Sequence, residues 1–218
     1  MITLAEENYL KAILATSLNT DGKVSTNSIA DEIGTSAASV SDMLKKLQNK
    51  NLVKYKKYKG TKLSKRGIKR AVGILRKHRL WETFLVKELE FNWGEVHEVA
   101  EQLEHIKSKE LVDKLEVFLN HPKFDPHGEP IPTKNGEIPK NNNIPLNQIK
   151  IGAKGHVMGV TLDEKTFLDY LTKLNISIGT GIEVLETISF DQSLNIKIEN
   201  KKKHISNNVA KHLLIKTK

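Results

Sequence analysis

All six prolines of this 218-residue chain fall between Pro122 and Pro145, and no other feature limits its fold as much. Proline fixes φ and removes a backbone donor, so it ends helices and is tolerated only at strand edges. The stretch beyond Asn120, rich in glycine and asparagine as well, is therefore a connecting segment. Before it, apolar residues recur at helical spacing; after it, short apolar runs alternate with turns. The pattern predicts a mainly α chain with a β-rich C-terminal domain, divided at 1–70, 71–140, a linker at 141–150, and 151–218.

Thr3-Leu-Ala-Glu6 is a capping box, opening a helix predicted to run to about Leu18 before Asn19-Thr-Asp-Gly22 breaks it. Thr26 to Ile33 reads as a short helix stopped by Gly34. Thr35 or Ser36 caps a third, Ala37 to about Lys50, with Val40, Met43, Leu44 and Leu47 as its buried stripe. Leu52-Val-Lys-Tyr-Lys-Lys-Tyr then meets Lys59-Gly60, a hairpin signal. Two short helices around a glycine turn followed by a basic hairpin describe a winged helix-turn-helix. Ser64 can cap a long helix to about Glu90, Asn92 one over Trp93–Lys107, and Ser108 one over Lys109–Leu119. Beyond Ile149, the runs at Gly155–Val160, Gly181–Leu185 and Leu194–Ile198, with a short helix near Phe167–Leu174, predict a small β-barrel of five strands.

The net charge of +9 is unevenly placed. From Met43 to Trp81 there is no acid, while lysines and arginines crowd in; from Glu82 onward the acids return. An acid-free stretch with interleaved aromatics favours a polyanionic partner over a merely solvated face. The residues that would meet it are Ser36, Ala37, Ser39, Ser41, Asp42, Lys45 and Lys46 on the third helix, with Lys57, Lys59 and Lys62 on the wing. Small residues let a helix N-terminus approach phosphates closely, and the lysines add salt-dependent affinity.

With no cysteine, disulfides, thiolate ligands and thiol nucleophiles are excluded, which fits a reducing cytoplasm. The segment MITLAEENYLKAIL has neither the basic region nor the apolar core of a signal peptide, and no apolar run approaches the ~20 residues of a membrane span. No membrane partner is expected.

The acidic half carries ligand-type spacing. His78 and Glu82 are four apart, and His97-Glu-Val-Ala-Glu-Gln-Leu-Glu-His105 places His97, Glu101, Glu104 and His105 within an arc of about 100° on one helix face. Imidazole with carboxylate suits divalent first-row metals. His97–Glu101 resembles the zinc-protease HExxH but ends in Glu, and Glu101–His105 lacks the first His of the inverted motif, so neither protease reading holds. Two rivals remain beside a metal-responsive DNA-binding protein: a metal-dependent hydrolase using Glu101 or Glu104 as general base, and a metal-independent DNA-architectural protein. His121, His127, His156, His204 and His212 have no acid at helical spacing and read as surface or core histidines.

Asn8-Tyr-Leu-Lys-Ala-Ile13, Ser39-Val-Ser41, Leu63-Ser-Lys-Arg-Gly67, Lys77-His-Arg-Leu-Trp-Glu82, Glu101-Gln-Leu-Glu-His105 and Pro126-His-Gly-Glu-Pro-Ile-Pro132 together resemble the diphtheria-toxin-repressor family of metal-dependent transcriptional repressors. Residues after the linker resemble the SH3-like (FeoA-like) domain of its longer members. The resemblance implies a homodimeric, cytoplasmic repressor of metal-uptake genes that binds a palindromic double-stranded DNA operator, turns over no small-molecule substrate and holds a metal ion at each of two sites per subunit. Carried over by position, the primary site falls on Asn8, Glu101, Glu104 and His105. The ancillary site falls on His78, Glu82 and His97, completed by Asp163 or Glu164. Iron-responsive relatives have Met and Cys where this chain has Asn8 and Glu101. A hard carboxylate at 101 therefore favours Mn²⁺, with Fe²⁺ as the alternative. Lys11, where the manganese branch has an acid, argues against a close two-manganese cluster.

Overall fold

The computed structural model describes residues 2–18, 23–56, 59–140 and 142–217. They fall into two compact units: Met1–His78 with Glu101–Lys109 and Pro132–Ile138, and Arg79–Ala100 with Glu110–Ile131 and Pro139–Lys218.

In the first unit, α1 (Leu4–Leu18) opens on the predicted capping box. Thr3 N–H donates to Glu6 Oε2 (2.9 Å) and Glu6 N–H to Thr3 Oγ1 (3.3 Å), satisfying two donors no helix can satisfy internally. α2 (Thr26–Ile33) is capped by Ser25 rather than begun by Thr26 alone, and ends on Gly34 at φ +70°, a left-handed conformation that costs glycine nothing. That turn aims α3 (Ala37–Asn49), whose cap Ser36 accepts from Ser39 N–H. Ile29, Val40, Leu44 and Leu47 are fully buried with Leu10 and Ile13, each contributing about 1.5–3 kcal/mol of burial. β1 (Val53–Lys56) pairs antiparallel with β2 (Gly60–Leu63), and Val24 bonds Thr61 through both backbone groups, pinning the wing at its base. Ser64 caps α4 (Lys65–Leu89) by accepting from Gly67 N–H.

α5 covers only Val96–Leu103, shorter than expected at both ends. Asn92 Oδ1 accepts from Gly94 N–H, forming a side-chain turn where a helix start was predicted. At the other end Glu104 and His105 lie in a turn closed by Ile106 N–H to Leu103 carbonyl, so the four ligand candidates do not share one helix face. α6 is Lys109–Phe118.

The second unit carries β3 (Ile144–Pro145), β4 (Lys154–Val160), α7 (Lys165–Lys173), β5 (Gly181–Thr187), β6 (Leu194–Ile198), β7 (Lys201–Ile205), α8 (Asn207–Ala210) and β8 (Leu213–Thr217). The strands form one antiparallel sheet in the order β3-β8-β4-β5-β6-β7. The expected count was five; the sixth is the two-residue β3, too short to leave a periodic signal. Alternate residues of β6 (Leu194, Ile196, Ile198) are buried with Val157, Val184 and Ile215 against Leu168 and Leu171 of α7.

Candidate metal centres and nucleic-acid interface

The first turn of α3 presents Ser36, Ala38 and Ser39 to solvent, with Ala37 and Ser41 half-buried. Ser41 Oγ donates to Ala37 carbonyl (2.9 Å) and Tyr55 hydroxyl lies 3.4 Å from Ser41 Oγ, so the wing steadies the helix that would enter a groove. Asp42, an awkward charge beside phosphate, is paired with Lys45 at 3.0 Å. Lys46, Lys59 and Lys62 are exposed; Lys57 lies outside the described residues. A depression of about 430 Å³ beside the wing is lined by Lys23, Lys54, Lys56, Lys59 and Lys62, which adds Lys23 and Lys54 to the basic surface.

A first cluster of ionisable groups sits in the first unit. Glu104 is fully buried, and its Oε2 accepts from His78 Nδ1 (2.6 Å) and from Lys11 Nζ (2.8 Å). Lys11 also reaches Glu101 Oε1 at 3.0 Å. His105 Nδ1 bonds Glu7 Oε2 at 2.7 Å; because a carboxylate only accepts, Nδ1 carries the hydrogen, and Nε2 faces Glu104 Oε1 from 3.8 Å. Asn8 Oδ1 and Glu104 Oε1 are buried without a hydrogen-bond partner. Burial draws the nearby Lys77 ammonium below its ordinary value, opposed by Glu7 and Glu104. Among the described residues Glu101, Glu104 and His105 do not bring three ligand atoms together; the ammonium of Lys11 lies between the two carboxylates instead.

A second cluster sits in the second unit, centred on Glu82. One ligand atom each from Glu82, Asp125 and His127 lies within 4.8 Å of the others, all three residues being buried. His97 Nδ1 is 3.6 Å from Glu82 Oε1 and 3.5 Å from Asp163 Oδ2. His127 Nε2 bonds the Trp93 carbonyl at 2.8 Å, which fixes the hydrogen on Nε2 and turns Nδ1, 3.7 Å from Glu82 Oε1, into a lone-pair donor. Asp125 Oδ1 accepts from the backbone N–H groups of His127 (2.8 Å) and Glu129 (3.0 Å). Its Oδ2 is buried 3.4 Å from Arg79 Nε, yet outside hydrogen-bonding geometry. Burial first, then the charges of Glu82 and Glu129, hold the Asp125 carboxyl well above the ordinary carboxylate range, against the pull of Arg79.

The second cluster fits a divalent ion. Its donors are imidazole nitrogen and carboxylate oxygen, one ring is oriented by an outer hydrogen bond, and an acidic oxygen is buried without a hydrogen-bond partner. Bonds of about 2 Å would close its spread with small movements. The predicted ancillary trio His78, Glu82 and His97 is one of the two groups able to hold an ion, and His78 Nδ1 also bonds Glu104 Oε2. Asp163 faces His97, whereas Glu164 stands at the N-cap of α7 and acts electrostatically on His212. Asp125 and His127 were missed, and His127 is corrected from a bystander to a member of the cluster. Its signal was available: Asp125 and His127 flank Pro126 in a tight turn, spacing that no helical template scores. Gly128 keeps that turn in place at φ +80°, since a Cβ there would lie 1.9 Å from the Met158 carbonyl oxygen.

Residues 1–61 match the family described as iron dependent repressor, N-terminal DNA binding domain; residues 64–133 match its metal binding and dimerisation domain; residues 144–217 match the FeoA domain. A solved manganese-dependent transcriptional repressor in complex with manganese shares 31% identity over 98% of this chain and 100% of its own, with a TM-score of 0.88. The manganese regulator SloR shares 34% over 98% of both chains, with a TM-score of 0.78. The iron-dependent repressor IdeR of Mycobacterium tuberculosis is 33% identical over 104 residues, 48% of this chain and 45% of its own length. A probable metal transport system membrane protein of Chlamydia trachomatis is 44% identical over 72 residues, 33% of this chain and 16% of its own. The chain thus spans less than half the length of these two curated relatives, and among its described residues no helix is long and apolar enough to cross a membrane. With full-length likeness to solved repressors and both repressor domains matched in order, the chain belongs to the iron-dependent repressor family of metal-dependent, DNA-binding transcriptional repressors.

Proposed function

We propose that the chain is a Mn²⁺-activated repressor that binds a palindromic double-stranded DNA operator as a homodimer and controls metal-uptake genes. The observation that carries the reading is the convergence of Glu82, Asp125 and His127, beside His97 and Asp163, in a chain whose N-terminal unit is a lysine-lined winged helix-turn-helix. The donor set contains nitrogen and oxygen and no sulfur, which favours Mn²⁺ among the first-row ions such a family uses. Fe²⁺ is the second reading, favoured by the identity to IdeR. The family pattern would place a further ion at Asn8, Glu101, Glu104 and His105, two per subunit, an expectation that the Lys11 ammonium between Glu101 and Glu104 opposes.

A bound ion supplies positive charge to a cluster that holds Glu82, Asp125 and Asp163 against Arg79. His127 and His97 would offer it imidazole nitrogens, Asp125 would ligate as a carboxylate after releasing its proton to solvent, and the Trp93 carbonyl keeps the His127 ring in its ligating tautomer. To act as a signal the ion need only favour the DNA-competent arrangement: a 100-fold preference is worth about 2.7 kcal/mol. The dimer reading is supported by Leu111, Val117 and Phe118 of α6, apolar side chains that are 42%, 59% and 63% exposed on one short helix. Enrichment of duplexes from a random pool tests the function. A recurrent inverted repeat is expected with Mn²⁺ present and none with a chelator; enrichment that ignores the chelator refutes it.

A further inference from the structure

Lys11 places an ammonium where the resemblance calls for a metal ion. Its Nζ lies 2.8 Å from Glu104 Oε2 and 3.0 Å from Glu101 Oε1, with the lysine side chain only 13% and the Glu104 side chain 0% exposed. An exposed ion pair between long side chains would mean little; here one carboxylate is wholly removed from water and the cation is nearly so. Glu104 Oε2 also takes the hydrogen of His78, so that oxygen is doubly engaged. The acceptors left over are Glu104 Oε1 and Asn8 Oδ1, and the latter is a neutral amide. Both three-ligand groups of the described residues contain Glu82; His78 belongs to one of them, while Glu101, Glu104 and His105 belong to neither.

We propose that Lys11 is a tethered cation that takes the ion's place in the first cluster. The cluster is then a latch of one ammonium and two carboxylates joining α1 to the Glu104–His105 turn, and the metal signal is read by the second cluster alone. A divalent ion entering the first cluster must displace Lys11 from both carboxylates and sit near a positive charge that cannot diffuse away. This rests on the reading of the chain as a metal sensor, but it predicts a different number of ions.

The test is Mn²⁺ uptake by the full chain in equilibrium dialysis, with melting followed in parallel. Wild type should take one tight ion per chain, lost in Glu82→Gln and retained in Glu104→Gln. Lys11→Met should add a second ion, bound at least tenfold more tightly than any second ion of wild type, and should gain a larger Mn²⁺-induced rise in melting temperature. Lys11→Arg, which keeps the cation, should stay at one. Two tight ions in wild type, loss of an ion in Glu104→Gln, or no gain in Lys11→Met overturns the proposal. Should Lys11→Met fail to fold, the Glu104→Gln count decides. A wild type that takes up no ion sinks the proposed function, while the gain in Lys11→Met still judges this inference separately.

Discussion

Asp125→Asn separates two roles of one carboxylate. The amide oxygen can keep both backbone bonds that Asp125 Oδ1 accepts, from His127 at 2.8 Å and Glu129 at 3.0 Å, so the turn should survive. What changes is charge. Asp125 is one of three converging ligand atoms, and replacing a carboxylate donor by a neutral one should weaken Mn²⁺ at least at the upper end of the 10–100-fold range known for outer partners. At free Mn²⁺ of about one thousand times Kd, binding stabilises the wild-type fold by about 4.1 kcal/mol. A hundredfold loss leaves about 1.4 kcal/mol, a difference of about 2.7 kcal/mol. For a chain of this length that removes roughly 5–11 °C of the Mn²⁺-induced rise in melting temperature. In chelator the variant should be at least as stable as wild type at neutral pH, because a buried carboxylate crowded by Glu82 and Glu129 has been neutralised. Calorimetry with and without Mn²⁺ measures both. A variant that keeps the full Mn²⁺ shift refutes the ligand role, and one that is markedly weaker in chelator refutes the electrostatic account.

Three more outcomes are expected. The folded chain holds the Asp125 proton to higher pH than the unfolded chain, so the folded state binds more protons. Metal-free stability should therefore fall as pH rises above the unfolded value of about 3.9, and this descent should be missing in Asp125→Asn when the two curves are subtracted. Reversing Lys59 and Lys62 to Glu should weaken DNA binding across sequences and lower its salt slope by about 2, one phosphate contact per lysine; an unchanged slope places the wing off the DNA. Gly128→Ala forces a Cβ against the Met158 carbonyl oxygen in a left-handed turn, and should cost Mn²⁺ affinity while the winged helix-turn-helix, in the other unit, keeps its metal-free DNA contacts. Unchanged Mn²⁺ affinity would mean the turn has no part in the site.

How much of this was legible depended on whether the signal was periodic. The capping box at Thr3 and Glu6, the Gly34 stop, the Ser36 and Ser64 caps and the paired wing were readable, because each rests on contacts within a few residues. α5 was overextended, since apolar spacing at Val96, Ala100 and Leu103 continues a pattern that Lys11 and His78 break by drawing Glu104 into a turn. The metal residues divided the same way. His97 and Glu82 stood out through helical spacing, whereas Asp125 and His127 lie in a proline-glycine turn and meet Glu82 only through tertiary folding. Lys11 was visible as an unexpected charge, but its reach to Glu101 and Glu104, 90 and 93 positions away, is written in no local pattern.

The central claim is that metal and DNA binding are coupled through the Glu82 cluster. The most direct measurement is the fluorescence anisotropy of a selected inverted-repeat duplex, titrated with the full chain in Mn²⁺ and in excess chelator, for wild type and Glu82→Gln. The account predicts a DNA affinity about 100-fold higher with Mn²⁺ for wild type, matched by an equal tightening of Mn²⁺ by DNA, and no such gain for Glu82→Gln. Equal wild-type affinity in Mn²⁺ and chelator would contradict it.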